Sequence, residues 1–406
     1  MGISEKRMSV CQMQGLYGPY YLSERVLQKI WLRQDFSTDA LRTVSGRSLR
    51  IAFSGNWNHL GGPDFKDARF EIEGTGYCAD VEIHFSPEDW IHHGHERNRA
   101  FNRVRLHVVL HGERGNPVAV RTEDGNCPEM LVLLPHLHQD LEAYAMDEAL
   151  IEMERICEHP NLSEFSSLPE RDRVSLLREQ GEARWGQKVR FARKRLESVD
   201  WESACHQYCL EVLGYARNRE PMSRLALRHP LSGFAGYSPE ALFAEPDLNW
   251  RLDGLRPANH PRLRLQQYVN RVAGCPDWPV ALKEMIARWM VPDRTDATRA
   301  FRQKSDLNRL LEDLRVRVLP EGLGATRCHT LMVDAFLPLA EAAGLLDSSA
   351  LFYYWWHWPP GDCPAVVGRL LRQSGVCGSH RTFCNGLHQG AIGLFLGVGT
   401  TCLGWD

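Results

Sequence analysis

Residues 61–95 read GGPDFKDARFEIEGTGYCADVEIHFSPEDWIHHGH. Two runs in this stretch, Phe65–Ile72 and Tyr77–Phe85, read as strands, and Glu73-Gly74-Thr75-Gly76 between them is a hairpin signal. The second run carries Glu82-Ile83-His84 inside an apolar segment from Val81 to Phe85. Alternate residues of a strand face the same side, so Glu82 and His84 point together while Val81, Ile83 and Phe85 point the other way. One face then suits a core helix, and the other, with a carboxylate and an imidazole, suits a site. Asp64, at the start of the first strand, can reach that second face.

Upstream, Tyr21–Arg33 reads as a helix with Ser23 at its N-cap and Leu22, Val26, Leu27 and Ile30 as its apolar stripe. Glu24 and Gln28, four apart, share a face away from the centre of that stripe. Ser48–Phe53 reads as a strand, and Asn56–Gly62 is rich in turn formers. Downstream, Pro87–Ala100 holds a short helix, and Val104–His111 is a central strand carrying His107 and His111. Asp124-Gly125-Asn126 marks a second hairpin between Pro117–Arg121 and Met130–Leu134. From about residue 137 the pattern turns to Glu, Arg, Leu and Ala at helical spacing. The expected organisation is an α/β (α+β) domain over residues 1–140 and a mostly helical region over residues 141–406.

With 406 residues the chain has room for two domains. A net charge of −3 gives no overall basic footprint, which argues against a nucleic-acid coat protein but not against an enzyme that touches nucleic acid locally. The longest apolar stretch, Gly390–Gly399, is too short and glycine-rich to span a bilayer. The first ten residues lack a signal-peptide layout. A cytoplasmic protein is expected, with no membrane partner and with its twelve cysteines reduced. Cys78, Cys205 and Cys209 have apolar or aromatic surroundings in sequence, as core thiols do.

The order helix with Glu24, strand, Pro63-Asp64, hairpin, Glu82-Ile83-His84 resembles the PD-(D/E)xK phosphodiesterase superfamily, the restriction-endonuclease-like fold. The resemblance covers roughly residues 20–135, with His84 where the motif has Lys. It implies a restriction-endonuclease-like N-terminal domain and a metal-dependent nuclease, with DNA or RNA as partner. Asp64 and Glu82 would bind Mg²⁺ or Mn²⁺, Glu24 would assist through water, and His84 would orient the nucleophile. His84 titrates near about 6.5 when unperturbed and supplies no permanent charge. A second, longer resemblance rests on GPDF, VEIH, HGH and VRLHVVLH, with SERVLQKIW, LGYARNREPMSRLA, RPANHPRLRLQQ and LMVDAFLPLAEAAG. It is to an uncharacterised bacterial family of unknown function and spans nearly the whole chain.

The chemistry required of such a site is general. Phosphodiester hydrolysis calls for a hard cation that stabilises phosphoryl charge and lowers the pKa of an attacking water, and Mg²⁺ takes a few carboxylates plus waters. Two other functions stay open: a catalytically lost binding or assembly module on the same fold, and a zinc hydrolase built on His84, His92, His93 and His95. Cleft-lining roles, contacting substrate, fall to Asn58, His93, His95 and Asn102, although Asn58, Asn98 and Asn102 equally fit turns and caps. His107 reads as a hydrogen-bonded core histidine.

In the helical region, Lys188, Arg190, Arg193, Lys194 and Arg195 near Trp185 and Phe191 form a basic run, either a backbone-tracking patch or a solvated helix face. Arg251, Arg256, Arg262 and Arg264 form a second, in a shaped loop. Cys363, Cys377, Cys384 and Cys402, with His380 and His388 between them, are either a structural zinc or iron–sulfur site or plain thiols, with no CxxC pair among them. The aromatic run Phe352–Pro360 belongs in a core or on a docking face.

Overall fold

The hairpin read from residues 65–85 is the centre of the sheet. The computed structural model of the chain describes residues 10–15, 18–59, 61–112, 120–138, 141–158, 161–291, 295, 297–377 and 382–396. Strands β1 (Val10–Gly15) and β2 (Gly18–Ser23) pair as a small sheet of their own. They are followed by α1 (Glu24–Arg33), β3 (Leu49–Phe53), β4 (Asn56–Trp57), β5 (Phe65–Ile72), β6 (Thr75–His84), α2 (Asp89–His92), β7 (Val104–Val109) and β8 (Glu129–Val132). The main sheet has the order β3-β5-β6-β7-β8, with β4 also on β5. β3, β5 and β6 run antiparallel; β6, β7 and β8 run parallel. The chain is thus a mixed α/β protein with a helical C-terminal region.

Glu73 and Gly74 alone make the β5–β6 turn, both with left-handed φ, 48° and 75°. Such a two-residue turn matches the twist of the strands it joins, and the Ser48 N–H donates to the Glu73 carboxylate, pinning the turn to the chain entering β3. α1 packs against β6. Val26, Leu27, Ile30 and Trp31 are buried along it, and so is Glu24, so the expected polar face of α1 is not solvated at that end. Ser23 stands at the N-cap without a side-chain capping bond.

Two expectations are corrected. β6 was expected to carry one apolar face for a core helix and one polar face for a site, yet Asp80, Val81, Glu82, Ile83 and His84 are all buried. The crossover segment from β6 to β7 covers the side that an antiparallel hairpin would leave wet, with His95 on Glu82 and Trp90 edge-on to His84. The Asp124-Gly125-Asn126 turn exists, closed by Thr122 N–H to Asn126 C=O at 2.9 Å. It does not make a hairpin in the sheet, because the strand after it, β8, runs parallel to β7; residues 117–119 lie outside the described residues.

The chain divides into two units, residues 1–12 with 21–145 and residues 13–20 with 146–406. The second is helical. Its helix Asn385–Leu396 lies along the long helix Glu170–Ser198, which explains Gly390 and Gly393 in the apolar C-terminal stretch. A Cβ on Gly390 would run into the Leu177 backbone, and one on Gly386 into the Trp356 ring. Gly390→Ala is expected to cost about 1–3 kcal/mol through overpacking, read as a lower thermal midpoint. Gly186→Ala, whose added methyl meets nothing, is expected to raise it slightly.

The aromatic run is core: helix Ser348–His357 buries Tyr354, Trp355 and Trp356, and Trp358 follows them inside. The first basic run is not a continuous patch. Lys188 turns inward to Asp334 at 2.6 Å. Arg195 pairs with Glu211 at 2.7 Å and lies over the Tyr208 ring, leaving Arg190, Arg193 and Lys194 exposed. In the second run Arg264 is buried on Asn259 and Gln267, while Arg262 pairs with Glu240; Pro257–Asn259 is a short turn, but the loop expected for the whole run ends there, because Pro261 takes the first position of the helix Pro261–Gly274 that carries Arg262 and Arg264. Cys205 and Cys209 are buried thiols, whereas Cys78 is exposed. Among the described residues no helix is long and apolar enough to cross a membrane.

Candidate metal centre

A bulge aims the two acidic residues. Phe65 pairs with Val81 and Ala68 with Ala79, so Lys66 and Asp67 together face Asp80. Asp67 has φ 57°, and its N–H donates to Asp80 Oδ1 at 3.1 Å. Such an extra residue bends its strand and redirects the chain beside it. Here it sets the start of β5 against Glu82: Asp64 N–H donates to Glu82 Oε2 at 2.8 Å, and Ile83 N–H donates to Asp64 Oδ2 at 3.1 Å. Each carboxylate is thus tied to the other residue's strand. The pair is brought together as the sequence implied, but one oxygen of each is engaged with backbone.

The other oxygen of Glu82 faces histidines. Oε1 lies 3.1 Å from His95 Nε2 and 3.5 Å from His84 Nε2. His84 Nε2 lies 3.2 Å from His93 Nδ1 and 3.3 Å from His95 Nε2. His84 is on β6; the other two arrive through the loop geometry. The Asp89 carboxylate accepts the Ser86 N–H and hydroxyl, turning the chain off β6 into α2. Gly94, with φ 71°, reverses it between α2 and the short turn His95–Arg97. His93 and His95 therefore face back to β6. His92 points out, its side chain 70% exposed and 3.6 Å from Asp89, and is not part of the group.

The wall of the group is aromatic. The Phe101 ring stacks on His95 with centroids 3.8 Å apart, and Trp90 stands edge-on to both His84 and His95. Behind His84 lies His107 on β7, its Nε2 2.8 Å from His84 Nδ1. Burial pushes the His107 imidazole down to about 3, so it is neutral at ordinary pH. The expected core histidine is therefore also the support of His84. The parallel pairing of Glu82 with His107 puts it there, and strand order was the missing signal. His111 lies beyond β7 and is exposed.

Among the described residues, the one group of histidine, cysteine and acidic side chains whose donor atoms gather closely enough for an ion is His84, His93 and His95, all within 4.8 Å of one another. Glu24 is buried in the first turn of α1. Asn58 and Asn102 hold loops. Asn58 Nδ2 donates to the Pro63 and Gly61 carbonyls, and Asn102 joins Glu123 and the Asp124 N–H. Asn98 caps the turn Arg99–Phe101. Of the four C-terminal cysteines, Cys363 sits against the Pro364 carbonyl and Cys384 is fully buried, while Cys402 and His380 lie outside the described residues.

Residues 24–245 match a family described as a protein of unknown function, DUF2851. The chain belongs to this family. No curated protein and no solved structure matches it. The DUF2851 span opens at Glu24, takes in every donor described above, and runs on through the helix Trp201–Arg228.

Proposed function

We propose that the sheet unit is a metal-dependent phosphodiesterase acting on nucleic acid. The observation that carries this reading is the convergence of Glu82, His84, His93 and His95 at the β6–α2 junction. The frame around it supports the substrate class. The succession α1, three antiparallel strands, α2 and a parallel β7 resembles the restriction-endonuclease-like fold, with Asp64 and Glu82 at the two acidic motif positions. In that superfamily a lysine brings positive charge beside the acids. Here the same place holds imidazoles, which bring no permanent charge, and a bound cation would supply that charge and activate a water. Asp64 and the backbone hold Glu82 in its orientation; the aromatic wall keeps bulk water from the donors.

A second reading has its own support. Asp64, Glu82 and His84 are at most 1% exposed, as befits a nuclease-fold protein that binds or assembles without cutting and uses the ion to hold its β6–α2 turn. Cleavage separates the two. Full-length protein is incubated with single- and double-stranded DNA and RNA in Mg²⁺, Mn²⁺ or Zn²⁺. The expected result is cleavage that chelator abolishes and His84→Ala loses. Binding without cleavage by metal-loaded protein removes the phosphodiesterase reading. Equal cleavage by His84→Ala assigns the activity to a contaminant.

A further inference from the structure

His84 Nε2 has three close neighbours: His93 Nδ1 at 3.2 Å, His95 Nε2 at 3.3 Å and Glu82 Oε1 at 3.5 Å. A ring nitrogen presents one proton or one lone pair, in one direction. A single hydrogen bond does not serve three such neighbours; a cation at their centre does. The spacing identifies the kind of cation. Zinc–ligand bonds of about 2.0–2.1 Å place tetrahedral donors about 3.3 Å apart. His84 Nε2 to His93 Nδ1 and to His95 Nε2, at 3.2 and 3.3 Å, match that value; the three histidines form the close group, and Glu82 Oε1 stands beside two of them, 3.1 Å from His95 Nε2 and 3.5 Å from His84 Nε2. Mg²⁺ takes an octahedron of oxygens and keeps several waters, whereas three imidazoles and a carboxylate are donors for zinc and its first-row neighbours.

We propose that His84, His93 and His95 supply three nitrogens to a Zn²⁺ ion, that Glu82 Oε1, beside His84 and His95, closes on the ion as the fourth ligand of a tetrahedral N3O site, and that His107 is a positioning residue behind it. For His84 Nε2 to offer its lone pair, its proton must sit on Nδ1 and donate to His107 Nε2. This is the outer hydrogen bond that fixes the tautomer and aims the ring of a metal-bound histidine. Asp64 acts one step further out, through its N–H on Glu82 Oε2. The inference rests on the metal centre of the proposed function but not on its phosphodiester chemistry. Catalysis at such an ion requires Glu82 to give way to water or the ion to become five-coordinate.

The test is metal content and spectroscopy on the full chain. Elemental analysis is expected to find one zinc per chain, kept through dialysis and not displaced by excess Mg²⁺. Substitution by Co²⁺ is expected to give the intense visible absorption of a tetrahedral ion. His93→Ala, at a half-buried loop position, loses the zinc, while His92→Ala, one residue away and outside the group, keeps it. His107→Phe weakens zinc affinity about 10–100-fold, and His107→Gln, which restores an acceptor, recovers part of the loss. Zinc content unchanged by His93→Ala, or the weak spectrum of six-coordinate Co²⁺, overturns the site. A zinc-loaded chain that cuts no phosphodiester leaves this site standing and removes the phosphodiesterase reading. A chain that cuts with Mg²⁺ and holds no zinc does the reverse.

Discussion

A Glu82→Gln chain is expected to fold and to bind its metal ion more weakly than the wild type by well over the about 10–100-fold that a change just outside a ligand set costs. The amide has the shape of the carboxylate, so its oxygen can still accept the Asp64 N–H now held by Oε2. Its NH₂ then faces the ring nitrogens of His84 and His95 with neither charge nor lone pair for a cation. Exchanging a charge-assisted hydrogen bond for a neutral one costs about 1 kcal/mol. Glu82→Leu gives up the Asp64 partner as well, a further ~1–3 kcal/mol for the buried N–H left without an acceptor. Calorimetric metal titration and melting in chelator separate the two effects. Wild-type metal affinity in Glu82→Gln, or equal metal-free melting of the Gln and Leu variants, would show that Glu82 serves only the backbone.

Asp334→Leu is expected to destabilise the helical unit by about 3–5 kcal/mol. Asp334 lies in the π-helical turn Leu331–Phe336 and meets Lys188, both side chains 5% exposed. Burial acts on each in the direction that opposes its charge, raising the Asp334 carboxyl and lowering the Lys188 ammonium. Each charged form therefore depends on the other. Without Asp334 the ammonium is left buried among Arg184 and Arg219, which already disfavour it. The double variant Lys188→Met with Asp334→Leu removes both ions and is expected to recover most of the loss. Urea midpoints of the single and double variants check this; a double variant as unstable as the sum of the singles would sink it.

The parts of this molecule that strand alternation governs were readable in advance. The β5–β6 hairpin and the common side of Glu82 and His84 follow from a period of two, and the structure has both. What alternation does not govern was read less well. His93 and His95 were expected to line a cleft, because nothing periodic encodes the reversal at Gly94 that returns them to β6. His107 passed as a plain core histidine because its partner depends on which strands lie side by side and on a register that shifts between Asp80 and Val81. In the helical region the charges of Lys188 and Arg195 were visible, but their partners Asp334 and Glu211 come from other helices. Sequence spacing along one helix does not reveal a fold-level neighbour.

The four donors of the centre fall within residues 82 to 95. An ion held by them closes loops of at most about a dozen residues, for which the chain entropy lost is small and grows only with the logarithm of length. The chelate therefore needs little of the rest of the protein beyond the end of β6 and the turn after it. An ion bound there would tie the crossover segment to its own strand before β7 has to be in place, and so would favour the parallel β6–β7 pairing, the slow kind of contact in a sheet of this type. Metal in the refolding buffer would then act on the rate at which this fold is reached as well as on its final stability.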